Sequence, residues 1–330
     1  MTPPNALCSV DEASARIASG AVFVVAGDAS VLRRLPRGNW IGGTIRYFMA
    51  DEGGCQSAER VFLTELPVDP ALVRIRSYGE RDLSEIVTDA PSNGFSFVVV
   101  PAGSPAHFAY AQRAPYYPGL FRRPIVGWIS GVELSQLGSD APLAVDGRTG
   151  SVETDRAVVL HAALPAGRVA HVGMINIFGG DDGDAITFAV EGFTATDCLV
   201  NGEPHNFARY LVDGRVDTRL PLVADYAGAQ VNTSFQSVNL EKGVVTFYAP
   251  VFRGIEYRIA APLSDYAGAF SRAVEQAGIE SVFACNCILN YQYGELEGKK
   301  TGHVTGPITF GEIAYQLLNQ TLVYLSIVDG

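Results

Sequence analysis

Short apolar runs rich in Val, Ile and Phe recur along the chain, each closed by glycine, aspartate or proline. That pattern predicts buried strands bounded by turns. AVFVVAG (21–27), WIGGTIRYF (40–48) and RVFLTEL (60–66) make a first set. FSFVVVPAG (95–103), PIVGWISG (124–131) and DRAVVLHAAL (155–164) make a second. SVFACNCIL (281–289), PITFGEIA (307–314) and QTLVYLSIV (320–328) make a third. Each set reads strand, connector, glycine-interrupted strand, loop, strand. We therefore expect three copies of one unit, with Gly43, Gly127 and Gly311 at equivalent places. A glycine inside a strand marks a bulge or a close approach by another backbone or a ligand. The irregular spacing excludes a solenoid, which needs a fixed short period.

Helical spacing covers 10–19, with Ser9 as N-cap, and 263–278, with Ser264 as N-cap and Gly278 just past the end. Further helices are expected at 105–113 and from Asn206. Between the second and third sets, RVAHVGMINIF (168–178) and AITFAVEGF (185–193) flank the acidic turn GGDDGD (179–184), which suits a hairpin. GVVTFYAPVF (243–252) and EYRIAAPL (256–263) suggest another, and Asn201-Gly202 is a tight-turn signal. The expected fold is α/β, with mixed β-sheets built from duplicated strand-rich units and helices covering the sheet faces.

Composition narrows the partners. The chain has 330 residues, a net charge of −11 and no basic patch, which excludes a nucleic-acid or anionic-membrane surface. No apolar run approaches the roughly 20 residues a membrane helix needs. The N-terminal stretch carries neither a basic segment nor a long apolar core, so no targeting segment is expected. The five cysteines have no framework spacing, which fits a reducing cytoplasm.

Candidate chemistry is sparse. In a strand, Cys285 and Cys287 share a face, with Asn286 between them. Burial in the core is the default for such thiols. Two soft ligands begin a metal site, but no CxxC or histidine pair completes one, so no metal is assigned. The five histidines show neither HxH nor HExxH spacing. His161 and His171 lie in apolar strands, where a hydrogen-bonded structural role is the default. His107 and His205 lie beside helices and are the weak haem-ligand alternatives. His303, with Lys299 and Lys300, sits in a Gly-rich loop that is either solvated or anion-binding. GNWIGG and GGDDGD lack phosphate-loop and Ca²⁺-loop spacing. APYYPGLF (114–121) is an aromatic loop, either a packed crossover or a pocket wall and partner surface. Glu312 has Thr44 and Trp128 as counterparts in the aligned copies. A carboxylate present in one copy only, beside Gly311, makes Glu312 the leading ligand-site candidate, together with Cys285, Asn286, Cys287, Gly311, Gly43 and Gly127.

The order of these motifs resembles the FIST family, a bacterial sensory domain of intracellular signal transduction with N- and C-terminal halves. PIVGWISG is similar to the apolar strand in the middle of its N-terminal half. AITFAVEGFTATDCLVNGEP is similar to the segment that ends in an Asn/Asp-Gly turn, then proline and a helix. SVFACNCIL is similar to its cysteine-bearing strand, and ITFGEIAYQLLNQTLVYL to its closing strands. Where many members carry an arginine after that cysteine, this chain has Ile288-Leu289-Asn290. The resemblance, with the Asn201-Gly202 turn, implies a FIST N-like half at 1–205 and a FIST C-like half at 206–330, packed as one body. It implies a cytoplasmic module that binds a small molecule such as an amino acid. With no output domain on the chain, a separate signalling protein would receive the signal. Haem is the alternative cofactor, and an uncharacterised enzyme using Cys285, Cys287 and Glu312 the alternative activity, less favoured than binding.

Overall fold

The computed structural model describes residues 5–180, 182–226 and 228–330. It has an α/β fold of mixed sheets with a few helices. The chain divides into two compact units, 1–175 with 267–317 and 322–330, and 176–266 with 318–321. The expected boundary near residue 205 lies inside the second unit, two residues before the helix Phe207–Asp213.

The larger unit holds three six-stranded sheets with one strand order. The first runs Asn5–Ser9, Arg60–Leu66, Val22–Gly27, Trp40–Thr44, Ala144–Asp146, Ser151–Glu153. The second runs Val73–Tyr78, Ala157–Ala163, Gly94–Pro101, Ile125–Ser130, Glu312–Ala314, Gln316–Leu318. The third runs Arg168–Ile175, Leu322–Asp329, Phe283–Cys287, Gly306–Thr309, Tyr47–Ala50, Gly53–Gln56. In each, the third and fourth strands are parallel and the neighbours on either side antiparallel. The three expected sets are therefore the centres of three sheets.

The sheets also exchange strands in a closed cycle. After Trp40–Thr44 the chain crosses to the third sheet and adds Tyr47–Ala50 and Gly53–Gln56. After Ile125–Ser130 it adds Ala144–Asp146 and Ser151–Glu153 to the first. After Gly306–Thr309 it adds Glu312–Ala314 and Gln316–Leu318 to the second. Each copy thus covers the open edge of another, where unpaired backbone groups would otherwise remain.

This exchange corrects the sequence alignment. WIGGTIRYF and PITFGEIA are each two strands in different sheets, not one. Gly42 pairs with Val25 and Gly127 with Val98 on the parallel neighbour, and Gly306 lies against Ala284 on its own. At all three, an added Cβ would collide with that neighbour's carbonyl. The equivalent glycines are Gly42, Gly127 and Gly306. Gly43 is the residue after, and Gly311 lies between two strands. The counterparts of Glu312 change accordingly. Glu312 pairs with Trp128, Ala144 with Gly43, and Phe48 with Pro307, each partner being one residue past the glycine of the close contact. Glu312 therefore corresponds to Ala144 and Phe48, not to Thr44 and Trp128.

The helices form where caps and apolar spacing direct them. Val10–Ile17 begins with a capping box in which Ser9 and Glu12 bond reciprocally, and it buries Val10, Ala13 and Ile17. Pro105–Arg113 begins with Ser104 accepting from the His107 amide. Tyr266–Ala277 buries Phe270 and Val274 and is followed by Gly278 at φ +56°.

The smaller unit carries a six-stranded sheet and a three-stranded one around Phe188, Phe207, Phe235, Phe247 and Tyr257. Neither expected hairpin forms. Arg168–Ile175 pairs with Leu322–Asp329, whereas Ile186–Thr187 pairs with Asp197–Val200 and Glu256–Ile259. Val244–Val251 pairs with Gly192–Ala195 and Phe235–Asn239, whereas Glu256–Ile259 joins the other sheet. Within GGDDGD, Asp181 lies outside the described residues, and Asp184 accepts from Asn201 Nδ2 and Tyr210 Oη. Asn201-Gly202 closes the hairpin of Asp197–Val200 with Glu203–Asn206, both turn residues at positive φ. Asn319-Gln320-Thr321 is not strand but a buried polar plug. Ser234 Oγ donates to Gln320 Oε1 at 2.7 Å, Asn232 Nδ2 donates to the Gln320 carbonyl, and Gln320 sits at φ +46°.

Candidate functional site

The sheet exchange gathers the sequence candidates in the larger unit. The strand Phe283–Cys287 ends directly at the helix Ile288–Tyr293, with Cys287 as its N-cap. A residue in the first helical turn leans back toward the strand end. Asn290 Nδ2 accordingly donates to Asn286 Oδ1 at 2.9 Å, and the Cys287 amide donates to the same oxygen at 2.7 Å. On the adjoining parallel strand, Thr309 Oγ1 lies 3.2 Å from Glu312 Oε1, 3.1 Å from the Gly311 carbonyl and 3.4 Å from the Asn286 carbonyl. Its single proton serves one of these acceptors at a time. The Cys285 thiol points to the Gly127 carbonyl at 3.7 Å. Glu312, Asn290 and Thr309 are fully buried, and Cys285, Asn286 and Cys287 nearly so.

The second sheet closes the group from its other side. Trp128, paired with Glu312, stacks on Phe283 at 5.7 Å between ring centres. Gly43 fits here because it lacks a side chain. The position its Cβ would take is 3.1 Å from Trp128 Nε1 and 3.0 Å from Ser130 Cβ. Gly311 is less constrained, since a Cβ there would meet side-chain atoms of Leu317 and Ile129 and no backbone.

Five buried atoms of the larger unit have no hydrogen-bond partner: Asn286 Nδ2, Asn290 Oδ1, Tyr291 Oη, Ser130 Oγ and Trp128 Nε1. Native interiors pair the great majority of such groups with protein or water. Beside Asn286 lies a cavity of about 10 Å³ lined in part by Cys285, Thr301 and Gly306, with room for a single water molecule. Burial, and then the Glu312 carboxyl, push the Cys285 thiol well above its usual range. The thiolate that a nucleophilic or metal-binding role requires is disfavoured there. Among the described residues, no group of three or more His, Cys, Asp and Glu side chains could hold a metal ion.

The histidines lie elsewhere. His107, in the helix Pro105–Arg113, is buried, accepts from the Gly103 amide at Nδ1, and is pushed down by burial to about 4. His205 is exposed on Glu203–Asn206 in the smaller unit, beside Tyr210. His303 Nε2 bonds the Ile279 carbonyl. His161 is a structural histidine in a directed chain that the sequence did not reveal. Tyr78 Oη donates to Asp89 Oδ2 at 2.7 Å, so its oxygen accepts from His161 Nε2 at 2.7 Å. Nδ1 is then left to accept from Ser96 Oγ at 2.8 Å. Asp89 is held in turn by Arg76 at 2.6 Å. In the aromatic loop, Tyr116 and Phe121 are exposed while Ala114 and Leu120 pack inward.

No helix of the described residues is long and apolar enough to cross a membrane. The model of DUF6976, a family of unknown function, matches residues 8–328. No curated protein matches the chain.

Proposed function

The chain belongs to the DUF6976 family, and we propose that it is a cytoplasmic sensory module that binds a small polar molecule, an amino acid or one of similar chemistry. The observation that carries this reading is the set of five unpartnered buried atoms around Asn286, Asn290, Tyr291, Ser130 and Trp128. These are donors and acceptors of both kinds; Trp128 pairs with Glu312 along the strands, and Thr309 lies within reach of both the Glu312 carboxyl and the Asn286 carbonyl. An amino acid presents an ammonium to a carboxylate and a carboxylate to amide and indole donors. The one-water cavity means that the ligand enters an opened form, and binding shifts the population toward it. The free state of all five cysteines supports a reducing compartment. The resemblance to the FIST sensory domain supports signalling through a separate protein.

A thermal-shift screen against the proteinogenic amino acids tests this. A ligand bound only by folded protein adds about 2.7 kcal/mol at a hundred times its Kd, which raises the melting temperature measurably. At least one amino acid should do so in the wild type and fail to in Asn290→Leu, whose fold is checked by circular dichroism. If none moves the wild-type transition, the reading is wrong.

A further inference from the structure

A second pocket, remote in chemistry from the first, lies in the first sheet. Its volume is about 130 Å³. The buried side chains of Leu32, Trp40 and Val145 line it, and Arg33 and Arg37 stand among its outer residues, both exposed. The walls are fixed by short bonds. The Trp40 indole donates to the Pro36 carbonyl at 2.9 Å. The Gly147 amide donates to the Trp40 carbonyl at 2.8 Å, and the Gly38 amide to the Gly147 carbonyl at 3.0 Å. Gly147 lies so close to the indole that no side chain fits there. The Arg37 guanidinium lies over Gly150, with Nε 3.5 Å from the position a Cβ would take.

The net charge of the chain is −11, and carboxylates partner Arg16, Arg46, Arg74, Arg76, Arg113, Arg156, Arg168, Arg219 and Arg258. Among the described residues, Arg33 and Arg37 have neither a carboxylate within ion-pair distance nor a side-chain hydrogen bond. Two exposed guanidinium groups on the lining of a preformed pocket that is part polar and part apolar are matched by an anion with an apolar body. An engineered cavity of about 150 Å³ takes benzene, so a single ring fits this space.

We propose that the Trp40–Arg33–Arg37 pocket is a binding site for a small monocyclic organic anion, a carboxylate or a phosphate monoester. The ring lies on Trp40, Leu32 and Val145, and the anionic group meets the two guanidinium groups. This site is independent of the amino-acid site above, so either can fail alone.

Phenyl phosphate and benzoate are the probes, with benzyl alcohol and inorganic phosphate as the controls that lack charge and ring respectively. Trp128→Phe leaves Trp40 as the sole tryptophan, so its fluorescence reports the pocket, and calorimetry on the wild type gives the affinity. At least one probe should bind saturably, with both controls about tenfold weaker or more. The double variant Arg33→Gln/Arg37→Gln should lose about tenfold or more in affinity at an unchanged melting temperature. Exposed side chains make that variant safe for folding. Absence of saturable binding by both probes, or equal binding by the double variant, overturns the proposal.

Discussion

Replacing Gly306 with alanine should destabilise the larger unit far more than replacing Gly311. At Gly306 the new methyl would stand 2.9 Å from the Ala284 carbonyl carbon and nearer still to its oxygen. Ordinary contact begins at about 3.4 Å, and the nearer oxygen sets the shift, so Gly306–Thr309 must move from Phe283–Cys287 by more than about 1 Å. Both are inner strands, flanked on their other sides by Leu322–Asp329 and Tyr47–Ala50, and neither can move without disturbing its other ladder. Overpacking of this kind costs about 1–3 kcal/mol. Each ladder bond stretched beyond use adds about 1 kcal/mol. The entropy that alanine removes from the unfolded chain returns only about 0.4–1 kcal/mol. The net loss is about 3 kcal/mol. At Gly311 the methyl meets side-chain atoms, Leu317 Cδ1 at 2.9 Å and Ile129 Cγ1 at 3.0 Å, and no backbone, so about 1 kcal/mol or less is expected. Gly179→Ala, with nothing within 4 Å, is the control. Urea unfolding followed by circular dichroism measures all three. Gly311→Ala matching or exceeding Gly306→Ala would refute the equivalence of Gly42, Gly127 and Gly306 and the strand exchange from which it follows.

Acid should weaken the fold through two histidines. Burial, and for His161 also Arg74, holds His107 and His161 at about 4, below the unfolded value of about 6.5. Protonation therefore favours the unfolded chain: this stability is complete above pH 6.5 and is lost as pH falls toward 4, by roughly 3 kcal/mol per histidine. The urea midpoint should drop between pH 7 and pH 4.5, and His161→Gln should remove part of the slope; a flat profile would exclude buried neutral histidines. Thiol labelling of the native protein should show a single fast group, the half-buried Cys55, while Cys8, Cys198, Cys285 and Cys287 react only on unfolding. Fast labelling at Cys285 would instead place it at an open surface.

Much of the larger unit was legible because its strands are short, apolar and stopped by glycine, aspartate or proline. The runs at 21–27, 95–103 and 281–289 contain the third strand of each of the three sheets. Ser9, Asn206 and Gly278 marked helix ends because capping is local chemistry. The glycine assignment failed for an equally physical reason. An apolar run does not record where it leaves one sheet for another, so PITFGEIA read as one strand and Gly311 as its interior. Gly306, which makes the real backbone contact, read as loop. The two expected hairpins failed likewise, because adjacent runs paired with strands far away in sequence.

The site shows the same division. Cys285, Asn286, Cys287 and Glu312 stood out as residue types in unusual company, and they do share one buried neighbourhood. Asn290, Thr309, Trp128 and Ser130 gave no comparable signal, and neither did the free Arg33 and Arg37 beside Trp40, since nothing local distinguishes a paired arginine from an unpaired one. By itself the sequence determined the strands, the helix caps and the threefold recurrence, because these depend on residues a few positions apart. Only the tertiary structure decided which glycines are equivalent, which carboxylate is buried and which polar atoms lack partners. Those properties depend on the strand a distant segment supplies, and the cyclic exchange among the three sheets settles that.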